Sequence, residues 1–366
     1  MTTVSSLSLP TNLRILISGG TGFLGSALVP ALKPYASTID CISRTNPKCI
    51  SGDLAEWDGK MDPRSLRGKY DLFIHLAGLY NLRASPTELL RQNVGATHNA
   101  LVVAQKAEIP HFVHASTVAV TIGEQGLGNE RDMRRVGMNS RDPLVYPDML
   151  DTSREFPDFY AKTKAHAEHL VKNWSTGSFV SQLNLRFGIL VGDTFSGRIE
   201  RIDGPYHSAE FLTRAKGFFE RYRGPVILPG NSRKTIPIVP VDIAAKAAAK
   251  LIGISRALDW QGYKSLHVAP GTDRALGTRE MYESAVAHLG YQNREIKILE
   301  NLPKILVKYL GEWIGQIPRQ EVEYILSFPR LDVTETELLL GKDWCPEFKS
   351  YAPQFWKGYD EYISNR

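Results

Sequence analysis

Four glycines in seven residues constrain this chain more than any other feature. Gly19, Gly20, Gly22 and Gly25 follow the apolar stretch Leu13-Arg14-Ile15-Leu16-Ile17 and open an apolar-periodic segment through Leu28 and Leu32. That order reads as strand, tight turn, helix. Glycines let the backbone turn sharply and let a pyrophosphate approach the main chain, while the helix N-terminus presents free N–H groups to the negative charge. Gly20, Gly22 and Gly25 satisfy G-x-G-x-x-G, and Gly19, Gly22 and Gly25 satisfy G-x-x-G-x-x-G. An ordinary turn needs fewer glycines, and the flanking strand and helix are those a dinucleotide site requires.

The rest of the first half repeats the alternation. Residues 39–43 read as a second strand, 71–77 as a strand ending at Gly78, and 89–106 as a helix. Residues 111–116 read as a strand after the breaker Pro110, 160–173 as a helix, and 180–190 as containing a further strand. Apolar strands alternating with helices predict an α/β fold, a Rossmann-type doubly wound parallel sheet. After Gly192 the chain turns rich in Gly, Pro, Arg and aromatics, with a helical stretch around 209–222. Residues 239–252 form a strong helix with Asp242 near its start, where a carboxylate suits the dipole, and 265–269 a short strand. The remainder reads as mostly helical. The expectation is a nucleotide-binding domain from 12–193 and 238–270, and a smaller, mostly helical C-terminal substrate domain from 194–237 and 271–366. Residues 1–11 read as a disordered leader.

Composition removes several function classes. The 366 residues carry a net charge of +5 with no Lys/Arg block, so nucleic acid is not implied, although a mild positive field suits a phosphate-bearing ligand. No apolar run is long enough to span a bilayer. Cys41, Cys49 and Cys345 show neither metal spacing nor Cys-x-x-Cys and read as reduced thiols of a cytoplasmic protein. His166 and His169 lie at i,i+3, but nothing suggests further ligands, so no metal is expected. The chain has no G-x-S-x-G and no P-loop.

Tyr160-Ala161-Lys162-Thr163-Lys164 places a phenol and an ammonium at i and i+4 on one helical face. A phenol normally keeps its proton to about pH 10. A nearby cation favours the phenolate, so the expectation is that Lys164 lowers the Tyr160 pKa and lets it exchange a proton with a carbonyl or alcohol oxygen. A hydroxyl at Ser116 or Thr117, at the end of the 111–116 strand, could hold the reacting oxygen opposite the phenol.

At these motifs the chain resembles an extended short-chain dehydrogenase/reductase of the NAD-dependent epimerase/dehydratase superfamily, over roughly residues 12–270. The loop Gly19, Gly20, Thr21, Gly22, Phe23, Leu24, Gly25 resembles the family's phosphate turn. Gly52-Asp53-Leu54 resembles the segment that contacts adenine, and His75-Leu76-Ala77-Gly78 the cofactor-lining strand end. Asn93-Val94-Gly95-Ala96-Thr97 resembles the family's N-V-x-G-T helix. Thr117, with Ser116 before it, falls at the catalytic Ser/Thr position, and Tyr160 and Lys164 match the active-site pair. The resemblance implies that Lys164 also holds the nicotinamide ribose. Residues 185–192 resemble the L-R-P-x-x-x-x-G strand against the nicotinamide carboxamide, with Phe187 in place of the usual proline, followed by Gly188 and Ile189.

Cofactor preference turns on the end of the second strand. An acid there accepts from the ribose 2′-OH and means NAD, whereas an arginine nearby accommodates the 2′-phosphate of NADP. The acid position falls on Ser43, followed by Arg44, so NADP(H) is expected. Asp40 would serve NAD if the strand stopped early.

His75 to Leu82, Gly188 to Asp193, Asp203-Gly204-Pro205-Tyr206, Leu228-Pro229-Gly230-Asn231 and Ile238 to Asp242 resemble the fatty acyl-CoA reductase and thioester reductase branch. That implies NADPH-dependent reduction of a lipophilic acyl thioester, carried by coenzyme A or a carrier protein. Arg131, Arg134, Arg135 and Arg141, in a long 124–159 connection, could meet coenzyme A phosphates or an acidic carrier, or form a solvated loop. Ile305, Leu306, Tyr309, Leu310, Trp313 and Ile314 give 303–317 an apolar helical face that could roof a channel, touch a membrane or pack on the small domain. Ketone/alcohol chemistry on a sterol- or polyketide-like substrate, nucleotide-sugar epimerisation and a non-catalytic NADP sensor stay open. Dimerisation through the Tyr160 helix is implied by the resemblance.

Overall fold

Alternation of side chains along the first strand decides how the layers form. In β1, Leu13–Ser18, Ile15 and Ile17 join one buried cluster while Leu16 joins another on the opposite face. A strand apolar on both faces must sit inside a sheet covered twice. The computed structural model describes residues 7–57, 61–122, 144–174, 177–214, 217, 221–222, 224–232, 234–291, 293–300 and 328–366. The Arg-rich residues 131–141 and the 303–317 segment lie outside the described residues.

The sheet contains β1, β2 (Ala36–Ser43), β3 (Ile50–Ser51), β4 (Leu72–His75), β5 (His111–Thr117), β6 (Ser181–Phe187) and β7 (Gly262–Val268). Their order is β7-β6-β5-β4-β1-β2-β3, and every neighbouring pair is parallel. This is the doubly wound arrangement the alternating pattern predicts, with its switch point between β1 and β4, where such sheets open a ligand crevice.

Helix α1 (Phe23–Leu32) covers one face together with α4 (Val241–Ala257), burying Leu28, Leu32, Ala244, Ala248 and Leu251 over Ile15, Ile17 and Leu183. The other face carries α2 (Ala96–Lys106), which buries Ala100, Leu101 and Ala104 against Leu16, Phe73 and Phe112. Helix α3 (Phe159–Asn173) begins where the Asp158 carboxylate accepts from Ala161 N at 2.7 Å, an N-cap that fixes its start one residue before Tyr160. Leu9, inside the stretch expected to be a disordered leader, packs against the α1–α4 side. A separate cluster forms from Tyr206, Leu212, Ile236, Leu276, Tyr282 and Phe355, with Tyr206 stacked on Phe355 of the Phe348–Ser364 helix at 4.0 Å between centroids.

Two expectations need correction. Cys41 and Cys49 are not free thiols: they form a disulfide, with Cα atoms 4.8 Å apart. A Cys-x7-Cys spacing carries no signature of its own, and parallel pairing of β2 with β3 brings the two together. Cys345 is free and buried, as a thiol pushed up to about 12 by that burial. The second correction concerns residues 89–106, which are not one α-helix. The chain runs from Pro86–Leu89 through a π-helical turn, Leu90–Gly95, before α2 begins.

Neutral histidines fill the middle of the sheet. His75 stacks on His114 with centroids 5.9 Å apart. Its Nδ1 pairs with Ser18 Oγ at 2.7 Å and its Nε2 with Thr97 Oγ1 at 3.2 Å, while His114 Nδ1 pairs with Asn184 Oδ1 at 2.8 Å. Burial holds His75 and His267 down at about 3, and His114 well below the ordinary 6.5. The unfolded chain therefore binds protons below pH 6.5 that the folded chain refuses, so stability falls as pH drops from 6.5 toward about 3. Each group contributes a slope of about 1.4 kcal/mol per pH unit in that window. Denaturant unfolding at pH 7, 6 and 5 should show this loss, and a His114→Asn variant should lessen it by one group's share; a slope unchanged in the variant would contradict the assignment.

Candidate active site

The glycine turn is built by close approach. Gly19 has φ +74°, and a Cβ there would lie 2.6 Å from Ala77 N, while a Cβ at Gly25 would lie 2.2 Å from Gly19 O. Backbone thus fills the places where side chains would be. Helix α1 has Gly22 at its N-cap, with no side-chain cap and no acid in its first turn. Its terminal N–H groups face the crevice unsatisfied by side chains, which is what a pyrophosphate needs. Ser116 adds a buried hydroxyl with no hydrogen-bond partner among the described residues. These features fit a dinucleotide.

A cavity of about 420 Å³ runs from this turn along the C-terminal ends of β1, β4, β5 and β6. Of the expected cofactor contacts, Gly19, Gly22, Phe23, Leu24, Gly25, Leu76, Ala77, Gly78, Asn93, Ser116, Phe187, Gly188 and Ile189 line it, and so do Thr117, Tyr160 and Lys164. Thr21, Ser43, Arg44, Asp53 and Leu54 do not. Leu54 is buried in the α2-side core, and Thr21 sits exposed in the turn.

Lys164 is buried and donates from Nζ to Ala115 O at 2.6 Å, which aims it across the end of β5. Burial lowers it to about 8, with Glu168, one turn on, opposing. Glu168 is itself buried and clasped by Arg186, whose Nη2 lies 2.8 Å from its Oε2. Asn93 supports the same corner: its Oδ1 accepts from Leu79 N at 2.7 Å, and its Nδ2 donates to Leu79 O and to Thr163 Oγ1.

Tyr160 departs from expectation. Burial drives its phenol up to about 12; a hydrogen bond with Thr117 and the Arg201 guanidinium work in the opposite direction. A near-neutral phenol would need Lys164 to dominate. Desolvation wins instead, and the cation opposing it is Arg201. The Thr117 hydroxyl also accepts from Ala119 N at 3.1 Å, which fixes its position beside the phenol.

Several wall residues are not among those the sequence motifs assign to the site. Tyr80 meets the Tyr160 ring edge-on at 4.8 Å, and the Arg201 guanidinium lies 4.4 Å over the Tyr80 ring. Arg201 donates from Nη1 to Tyr80 O at 2.6 Å and from Nε to Asp203 at 3.1 Å. Ile199, Tyr206 and Phe328 supply apolar wall. The signals for them are the His75–Leu82 motif, which contains Tyr80, and the Asp203–Tyr206 motif; both mark a segment without marking its direction.

At the far end of β2, Ser43 Oγ accepts from Thr45 N and Asn46 N, closing a turn that presents Arg44. Arg44 pairs loosely with Asp53 at 3.8 Å and is largely exposed. The strand does not stop early: it runs to Ser43, and Asp40 within it accepts from the Tyr70 hydroxyl at 2.7 Å.

Sheet order, uncapped glycine turn and a hydroxyl–phenol–ammonium set on one cavity define the extended short-chain dehydrogenases/reductases, oxidoreductases that use a nicotinamide cofactor. The chain belongs to the NAD-binding family described as male sterility protein, whose sequence pattern matches residues 34–248. It is 30% identical over 180 residues to a 3 beta-hydroxysteroid dehydrogenase/Delta 5-->4-isomerase of Mycobacterium tuberculosis, covering 45% of this chain and 44% of that protein. It is 25% identical over 304 residues to fatty acyl-CoA reductase 1 of Xenopus laevis, covering 66% of this chain and 55% of that one. The chain thus spans about half the length of these two relatives. In fold it is similar to the terminal R domain from the myxalamid PKS-NRPS biosynthetic pathway, with a TM-score of 0.69 and 18% identity over 98% of this chain and 93% of that one. Among the described residues, no helix is long and apolar enough to cross a membrane.

Proposed function

We propose that the chain is an NADP(H)-dependent reductase of a lipophilic acyl thioester. The observation that carries this reading is the continuous cavity that joins the glycine turn to Thr117, Tyr160 and Lys164 and continues into the wall of Ile199, Tyr206 and Phe328. A reduced nicotinamide, when bound, supplies the hydride. Thr117 holds the carbonyl oxygen, and Tyr160, which keeps its proton through neutrality, delivers it to that oxygen. Lys164, charged below about pH 8, donates to the ribose hydroxyls while tied to Ala115 O. A thioester reduced in this way collapses to aldehyde and free thiol. The segments 194–237 and 271–366 form the substrate domain of this reading.

Arg44 and the other residues at the end of β2 support NADP(H): the turn offers a guanidinium and no carboxylate except Asp53, which Arg44 already faces. Arg44→Ala should weaken NADPH binding about tenfold and leave NADH unchanged, the loss of roughly one charge-assisted bond to phosphate. Fluorescence titration with both dinucleotides checks it, and unchanged NADPH binding would sink the assignment.

Identity to the hydroxysteroid dehydrogenase favours a second reading, reversible ketone/alcohol chemistry. Following NADPH absorbance with acyl-coenzyme A esters and with steroid or polyketide ketones separates the two. Consumption accompanied by thiol release supports the thioester reading, and consumption with ketones alone overturns it.

A further inference from the structure

The disulfide and the cofactor turn occupy the same few residues. Strands β2 and β3 are parallel neighbours joined by residues 44–49, whereas a parallel crossover ordinarily needs about a dozen or more. Their register pairs Ile42 with Ile50 and Ser43 with Ser51, an offset of eight residues. Cys41 and Cys49 have the same offset. The cross-link is therefore the next rung of that ladder, placed one step before the pairs that end the strand. It closes the base of the loop that carries Arg44. Inside the ring the loop is held by Ser43 Oγ and by Cys49 N donating to Asn46 O at 3.0 Å. Outside it, Gly52 N donates to Ser43 O at 3.2 Å, and Arg44 reaches Asp53. On its inner side Cys41 packs close to Gly20 of the phosphate turn. Both cysteines are half-buried.

We infer that the Cys41–Cys49 cross-link determines cofactor specificity by positioning Arg44, and that opening it weakens recognition of the 2′-phosphate. The inference rests on the NADP(H) reading of the same turn. Closed, the disulfide pins the β2–β3 register and leaves the backbone that carries Arg44 less freedom to lose when the guanidinium meets a phosphate. Opening requires a dithiol: it transfers two electrons and two protons, becomes a disulfide itself, and leaves Cys41 and Cys49 as thiols. The freed 44–49 loop then pays the ordering entropy on binding. Cysteines 41 and 49 are positioning residues here, since neither touches the dinucleotide's reacting end.

The test uses the full chain and two fragments of the adenosine end, 2′,5′-ADP and 5′-AMP, titrated calorimetrically before and after treatment with dithiothreitol. Alkylation followed by mass spectrometry counts the thiols, with buried Cys345 as the internal reference. A Cys41→Ser/Cys49→Ser double variant accompanies both. The expected result is 2′,5′-ADP binding roughly tenfold weaker in the reduced chain and in the double variant, with 5′-AMP unchanged and the variant blind to dithiothreitol. A cross-link serving stability alone would lower the melting temperature without moving the ratio of the two affinities. An unchanged ratio, or free Cys41 and Cys49 before reduction, overturns the inference while leaving NADP(H) standing. Failure of 2′,5′-ADP to outbind 5′-AMP in the oxidised chain overturns the NADP(H) reading and the inference with it.

Discussion

Tyr160→Phe should reduce the rate of NADPH oxidation by roughly 10²–10⁴-fold, the usual worth of a positioned general acid, with dinucleotide binding retained. The substitution removes one oxygen and keeps the ring, so the edge-on contact with Tyr80 survives. What disappears is the hydroxyl beside Thr117, the proton donor of the proposed reaction. In the parent, the phenol stands at about 12 and remains protonated across the whole neutral range, so its titration does not limit reduction. The ammonium of Lys164 does titrate within reach, at about 8. Reduction should hold level below that pH and fall above it, as Lys164 loses the proton it donates. Stopped-flow absorbance with an accepted carbonyl substrate reads the rate, and NADPH fluorescence reads the binding. A Tyr160→Phe variant of undiminished rate would remove Tyr160 from the chemistry.

Gly25→Ala should cost about 3 kcal/mol of stability and abolish cofactor binding, because the added methyl has nowhere to go. Its nearest neighbours are Gly19 O at 2.2 Å and the Cα and carbonyl carbon of Gly20 at 2.7 Å, all backbone. No side chain can rotate away, so α1 must lift from the turn, and the N–H groups at its start, which the proposed cofactor needs, go with it. Gly22→Ala is the control for stability: its added Cβ meets only Gly19 O, at 3.4 Å, from an extended backbone with φ −79°. Thermal melts of the two variants should differ sharply. Equal behaviour would show that the turn is looser than this packing implies.

Much of the fold and the site is legible from local pattern. The glycine turn, the Tyr160–Lys164 spacing and the alternation of strands with helices are each encoded within a few residues, and the fold assembles around them as those patterns require. The far wall of the cavity is less legible: a motif contains Tyr80, but Ile199, Arg201 and Phe328 come from distant segments and meet it through packing alone. The Cys41–Cys49 bond is hidden for a related reason. It depends on the register between two strands, which neither cysteine's neighbours specify. Spacing misjudges the phenol's pKa because it reports the nearness of a charge but not the loss of water, and here the loss of water outweighs it. The π-helical turn escapes because apolar residues at helical intervals look the same whether or not one extra residue is accommodated.

That extra residue has a consequence for how the chain can change in length. Asn93 sits inside the Leu90–Gly95 turn with its carboxamide fastened to Leu79 and Thr163. Removing one residue would let the backbone settle into an ordinary α-helix with its flanks nearly in phase, while the residues within the turn rotate relative to both. The helix would gain regularity and Asn93 would lose its aim. Leu90→Ala, at an exposed position, should therefore be nearly silent, whereas deletion of Leu90 should uncouple the corner that holds Lys164, a contrast that NADPH titration of the two variants reads directly. Insertion and deletion, more than substitution, set the limits within which this segment can drift.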